Sequence, residues 1–203
     1  MRLFVLGATG GIGRLLLKYG LQRGHEITAF VRSPSKVVLN DNRLTVVKGD
    51  LFDVDAVEGA MRNHDVVLSA FGPATLASTD LRRKFGHILA AAAEKSGVKR
   101  VLVVSSGLLF DNVGLLGNVL KSTLFRKMLP DMANMEGELM RDSLEWTIVR
   151  PPRLIDGALT SNYVIQEGRL PEGRRAITRA NVAEFMLNEA ERKEHVKAIV
   201  GLA

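Results

Sequence analysis

Two periods of apolar residues alternate along this chain. Short apolar runs, at Arg2–Leu6, Glu26–Val31, Leu44–Lys48, Asp65–Ser69, Arg100–Val104, Glu145–Val149 and Val196–Val200, are separated by stretches whose apolar positions recur every three or four residues. Continuous apolar runs of this length suit strands buried on both faces, whereas the 3.6-residue recurrence suits amphipathic helices. Helices are predicted through Ile12, Leu15, Leu16 and Tyr19, closed by Gly24, and over Val54–Met61. Three more follow: Thr79–Ser96, stopped by Gly97; a helix through Glu136, Leu139 and Met140; and one capped by Thr178 that runs through Val182, Phe185, Met186 and Ala190. Strand and helix in alternation predict an α/β fold: a Rossmann-like, doubly wound parallel sheet in three layers, one domain over 1–203 with a small C-terminal substrate or lid region. Two stretches are irregular. Leu108–Met135 carries Leu115, Leu116, Val119, Leu120, Leu124, Phe125, Met128, Leu129, Met132 and Met135, as core or as the lining for a large flat molecule. Leu159–Arg175 reads as a lid or a short strand pair. Segments 108–130 and 153–176 are accordingly expected as substrate-side loops.

The first strand runs straight into Gly7-Ala8-Thr9-Gly10-Gly11-Ile12-Gly13 and then a helix. Gly7 supplies a tight turn, Gly10 leaves no Cβ between the chain and a pyrophosphate, and Gly13 lets the helix lie close on the strand. An anion would then sit on free N–H groups at the positive end of the helix. Glycine triplets also occur in surface turns, but the flanking strand and helix favour dinucleotide binding. An acid at the end of the second strand would hold the ribose 2′-hydroxyl of NAD; this chain has Arg32, with Ser33 and Lys36 following. That favours NADP(H) over NAD(H), against the alternative of a solvated basic turn. Asp50 is placed either to accept from the adenine amine or to form a turn or helix cap. Ala70-Phe71-Gly72-Pro73 suits a close ribose approach, and Ser105-Ser106-Gly107 sets two hydroxyls at a strand end, for chemistry or for capping the next turn. After Arg150, Pro151 and Pro152 force an extended exit that could fold over a nicotinamide.

The 203 residues are 46% hydrophobic, enough for a sizeable core. With no cysteine there is no disulfide, thiolate metal site or cysteine nucleophile, and a cytoplasmic location without a metal is expected. No leader precedes the glycine loop and no apolar segment reaches spanning length, so no membrane partner is expected. The net charge of +6 is scattered as Arg82-Arg83-Lys84, Lys99-Arg100, Arg126-Lys127 and Arg174-Arg175, with few aromatics between. Solvated faces and a phosphate pocket explain this better than nucleic acid does. Monomer and homodimer both stay open.

GATGGIG at Gly7–Gly13, VRSPSK at Val31–Lys36, GDLFD at Gly49–Asp53, VVSSG at Val103–Gly107, LEWTIVRPPRL at Leu144–Leu154 and ITRANVAEFML at Ile177–Leu187 together resemble the short-chain dehydrogenase/reductase superfamily, in its atypical NmrA-like branch. Within it the chain looks most like the biliverdin-IXβ and flavin reductases. The resemblance spans nearly the whole chain. It implies that Gly7, Thr9, Gly10, Gly11, Ile12 and Gly13 hold the pyrophosphate, Arg32 with Ser33 and Lys36 the 2′-phosphate, and Asp50 with Leu51 the adenine. It also implies that Ser106, with Ser105 beside it, meets the nicotinamide region. Typical members carry a Tyr-x-x-x-Lys pair whose lysine lowers the tyrosine pKa; here those positions fall on Met128 and Met132, which move no proton, and Tyr19 and Tyr163 lie elsewhere. Biliverdin and flavin reductases also lack the pair. The expectation is therefore NADPH-dependent hydride transfer to a small conjugated acceptor, a flavin, tetrapyrrole or quinone, that takes its proton from water. The alternative is a non-catalytic NADP(H) sensor; epimerase-like chemistry, which needs the missing tyrosine, ranks last.

Overall fold

The computed structural model describes residues 1–72 and 80–203. In chain order its elements are β1 (Arg2–Leu6), α1 (Gly11–Gln22), β2 (Glu26–Val31), β3 (Leu44–Lys48), α2 (Val54–Met61), β4 (Val66–Ser69), α3 (Leu81–Ser96), β5 (Arg100–Val104) and α4 (Gly114–Ser122). Then come α5 (Leu129–Leu139), β6 (Glu145–Arg150), β7 (Arg153–Ile155), β8 (Ile165–Glu167), β9 (Ala176–Thr178), α6 (Arg179–Arg192) and β10 (Ala198–Leu202). The main sheet runs β3-β2-β1-β4-β5-β6-β10-β8. It is parallel throughout except for β8, which lies antiparallel to β10. The doubly wound α/β expectation is met.

Successive strand residues feed opposite layers, because side chains alternate across a pleated strand. Leu3 and Val5 of β1, Ile27 and Ala29 of β2 and Leu102 of β5 enter the layer packed by α1 and α6. Phe4, Leu6, Phe30, Val101 and Val103 enter the layer packed by α2, α3 and α5. Both faces of the central strands are thus dry, so the strands read as continuous apolar runs.

The turns between these layers are set by a few polar groups. Thr178 caps α6 by accepting from the Asn181 N–H, as expected, and Asp53 caps α2 by accepting from Ala56. The start of α3 is held from outside: the backbone N–H groups of Arg82 and Arg83 donate to Asp131 of α5 at 3.1 and 3.0 Å, which fixes α5 across α3. At the amino edge the buried Arg100 donates to Glu145 O, Thr147 Oγ1 and Glu189 Oε1, tying the starts of β5 and β6 to the end of α6. Its desolvation lowers the guanidinium pKa, and the facing Glu189 opposes that shift.

The structure differs from the pattern reading in three places. Segment 108–130, expected as a loop, holds the end of a short 3-10 turn, α4 and the first residues of α5, with breaks where Gly114 takes φ +72° and where Pro130 opens α5. Leu159–Arg175 does not pair with itself: β8 extends the main sheet, and β7 pairs in parallel with β9. The last strand starts two residues late, at Ala198, because Lys193 and Lys197 both adopt positive φ after α6. Pro73 and Thr79, expected in the ribose turn and at the start of the long helix, lie outside the described residues.

Candidate cofactor and active site

Parallel strands bring their carboxyl ends to one edge, so the turns after β1, β2, β3, β4, β5 and β6 line a single cleft rim. Gly7, Arg32, Asp50, Ala70, Ser105 and Pro151 stand at or beside those six exits.

At the centre, Gly7 takes φ +74°, and a Cβ there would lie 2.6 Å from the Ala70 carbonyl. At Gly13 it would lie 2.1 Å from the Gly7 oxygen, so the helix can approach the strand only without a side chain. Gly10 is different. Among the described residues a Cβ there would meet Gly7 O alone, tightly at 3.2 Å, and the residue is exposed as the N-cap of α1. No side chain caps α1 and its first turn holds no acid, so its leading N–H groups are left to an outside acceptor. Thr9 is half-buried beside them; Ile12 is buried in the α1/α6 layer and can offer an anion its backbone only. These residues fit a diphosphate.

Arg32 and Lys36 are exposed at the exit of β2, and neither makes an ion pair among the described residues. Ser33 begins the 3-10 turn Pro34–Lys36 with its hydroxyl uncommitted there. Asp50, an exposed residue, uses one carboxylate oxygen to accept from the Phe52 N–H at 3.0 Å, so it does form the turn. Leu51 is buried among the α2/α3 residues. Phe71 stacks edge-on with Phe52 and lies 4.5 Å from Phe85, an apolar wall beside Asp50 that the sequence reading did not include through Phe52. Gly72 is exposed, with no described residue within 4 Å of where a Cβ would sit, and Ala70 is half-buried.

At the far end of the rim, Ser106 accepts from Leu108 N–H at 3.2 Å and keeps its own proton available. Ser105 is 9% exposed and donates to Glu136 Oε1. Glu136, itself buried, accepts two hydrogen bonds from Arg150, whose guanidinium lies 4.7 Å over the Phe110 ring. The Gly107 N–H donates to the Pro151 carbonyl at 2.7 Å, which clamps the exits of β5 and β6 together and buries Pro151. Met128 is buried at the start of α5, Met132 is half-buried on it, and Glu136 follows one turn later. Tyr19 and Tyr163 pack in the α1/α6 layer, across the sheet from Glu136, and burial pushes the Tyr163 phenol pKa up, opposite to what proton relay requires.

Three charged residues were not identified from sequence. Glu136 and Arg150 form the buried pair, and a signal existed: Arg150 follows the apolar run Ile148-Val149 at the end of β6, and a charge carried into a buried strand end needs a partner. Arg179 is the third. Its Cδ lies 2.6 Å from where a Gly11 Cβ would sit, so its side chain rests against the glycine loop, held by Asp156 at 2.8 Å. The tract joining it to the loop is long-range, and no local pattern reports it.

The family model described as NAD(P)H-binding matches residues 7–193. The Bacillus subtilis protein YwnB, itself uncharacterized, is 30% identical over 96% of this chain and 94% of its own. An isoflavone reductase homolog of Zea mays is 30% identical over 57% of this chain, which spans 38% of that longer protein. Among solved structures, a proposed NADH-flavin reductase of Streptococcus pneumoniae superimposes with a TM-score of 0.81 at 26% identity, over 100% of this chain and 98% of that one. The glycine loop that the fold opens toward solvent lies inside the matched region, and the chain belongs to the NAD(P)H-binding oxidoreductase family, as an atypical, NmrA-like member of the short-chain dehydrogenase/reductase superfamily.

Proposed function

We propose that this chain is an NADPH-dependent reductase acting on a conjugated acceptor, a flavin, tetrapyrrole or quinone. The observation that carries the cofactor half is Arg32: an exposed guanidinium without a carboxylate partner among the described residues, at the β2 exit where an NAD enzyme would carry an acid. Ser33 and Lys36 add a hydroxyl and an ammonium for a phosphomonoester, and Arg179 adds a cation beside the diphosphate loop. When bound, the nicotinamide cofactor supplies a hydride. The chain's own part is positioning: Ser106 orients the reacting ring, and the Gly107–Pro151 clamp fixes the distance between the two walls that hold it. Glu136 is engaged by Arg150 and Ser105, so it is not placed to deliver a proton, which suits an acceptor that stabilises added charge by delocalisation. The likeness to the pneumococcal protein supports a flavin-type acceptor, while its name specifies NADH and so makes the test of Arg32 decisive.

The test pairs turnover with affinity. Purified protein oxidises NADPH in the presence of a flavin, a quinone or biliverdin, and Arg32→Asp weakens NADPH binding roughly 10- to 100-fold while changing NADH by less than about threefold. Equal losses for both cofactors remove Arg32 from a phosphate site. Cofactor binding without turnover on any acceptor rejects the reductase and favours the second reading, a redox sensor, which Met128 and Met132 at the usual proton-relay positions support. The sensor predicts different affinities for NADP⁺ and NADPH in calorimetry.

A further inference from the structure

We infer that α4 and the turn after it form a peripheral docking face for an anionic lipid surface. Helix α4 is inverted with respect to its own protein. Leu115, Leu116 and Val119 are 89%, 63% and 56% exposed, whereas Gly117 is the buried residue that faces inward. At about 100° per residue those three side chains occupy one arc of roughly 100° on the solvent side, and Leu124, 55% exposed, continues the apolar patch. Such a concentration of exposed leucine marks an interaction surface rather than scattered surface apolarity.

Charge identifies the occupant. Residues 112–130 contain Lys121, Arg126 and Lys127 and no Asp or Glu. Arg126 and Lys127 are exposed and make no ion pair among the described residues; Lys121 donates to Phe110 O at 2.5 Å, which anchors α4 beside the Ser106–Phe110 turn. An apolar arc flanked by unpaired cations complements a bilayer of anionic headgroups: leucines enter the interface and basic side chains stay at the phosphates. A second copy of this chain fits poorly, because a two-fold contact through this patch would set Arg126 and Lys127 against their equivalents. A nucleic acid would need stacking aromatics where this face offers aliphatic side chains. No helix among the described residues is long and apolar enough to cross a membrane, and a face lying on the surface needs none. The expectation of no membrane partner addressed export and spanning segments, not a face lying on the surface. The face adjoins the Ser106 end of the cleft, so a lipid-dissolved acceptor would be met where the chemistry is proposed, yet lipid binding stands independently of turnover.

The experiment is sedimentation of the full chain with vesicles of one part phosphatidylglycerol to two parts phosphatidylcholine, and with pure phosphatidylcholine vesicles. Binding to the anionic vesicles, lost in molar salt and absent with phosphatidylcholine, is the expected result. Each basic residue near such a surface contributes about fivefold, so Arg126→Ser with Lys127→Ser lowers partitioning roughly 30-fold, and Leu115→Ser with Leu116→Ser lowers it at least 10-fold. Should the leucine variant melt below the wild type, the charge variant alone decides. Failure to sediment, or equal binding to both vesicle types, overturns the proposal; so does a dimer in sedimentation velocity that Leu116→Ser dissolves.

Discussion

Glu136→Gln is the most informative substitution because one carboxylate serves three donors. Ser105 Oγ and Arg150 Nε both reach Oε1, and Arg150 Nη2 reaches Oε2. A glutamine keeps the volume but offers one oxygen and one NH2, so whichever way the amide turns, an N–H of Arg150 faces another donor. The guanidinium also loses its counter-charge where its side chain is 12% exposed and Glu136 only 2%. Breaking a buried pair from one side costs about 3–5 kcal/mol, and the residual exposure of Arg150 places this case near 3 kcal/mol. For a chain of this size that is a fall in melting temperature of roughly 6–12 °C. Urea unfolding of the wild type, Glu136→Gln, Arg150→Met and the double variant measures it. The double variant should recover at least about 1.5 kcal/mol of the summed single losses, since removing both partners leaves no orphaned charge. A Glu136→Gln loss below about 0.5 kcal/mol, or strictly additive variants, would refute the reasoning.

If the glycine loop holds the diphosphate as proposed, Arg179→Met should weaken NADPH and NADH alike, by roughly 5- to 20-fold in fluorescence titration, because its side chain rests against that loop at Gly11; selective loss of NADPH contradicts this. Gly13→Ala forces a Cβ to 2.1 Å from the Gly7 oxygen and should lower stability by about 2–3 kcal/mol, whereas Gly10→Ala, whose Cβ makes only a tight 3.2 Å contact with the same oxygen, should cost clearly less stability and yet lose cofactor affinity. Equal melting temperatures for the two would show that the loop yields. The Ser143 hydroxyl, and after it the Arg141 charge, hold the Glu94 carboxyl below its ordinary value despite opposing desolvation. With the folded value below the unfolded one, this contribution is full above the ordinary carboxylate range and disappears as pH falls through the folded value. Ser143→Ala should therefore raise the Glu94 pKa in an NMR titration and shrink the stability difference between neutral and acid pH; an unmoved titration rejects the assignment.

The elements that could be read from the chain are those whose cause is local. β1, the glycine loop, α1 and β2 follow from apolar runs and turn residues within a few positions of one another, and the structure places them as read. The α4–α5 break was hidden because the leucines of α4 face solvent, which breaks the rule that apolar periodicity points to core. β7, β8 and β9 are three residues each, and their partners are distant or out of order, β8 meeting β10 and β7 meeting β9. The candidate site divides the same way. Gly7, Arg32 and Ser106 lie at strand exits, where position alone marks them, but the links from Glu136 to Ser105 and from Arg179 to Gly11 exist only after the chain has folded.

The contact between residue 7 and the exit of β4 also bears on how such a chain can change over time. Because a methyl group at position 7 would strike main-chain atoms of Ala70 and Phe71, no trimming of a neighbouring side chain makes room for it. A descendant that acquired one would have to shift the exit of the fourth strand, and with it the middle of the cleft rim. That turn is therefore inherited as a single block with the strand beside it, and new specificities are free to arise only at the rim's periphery.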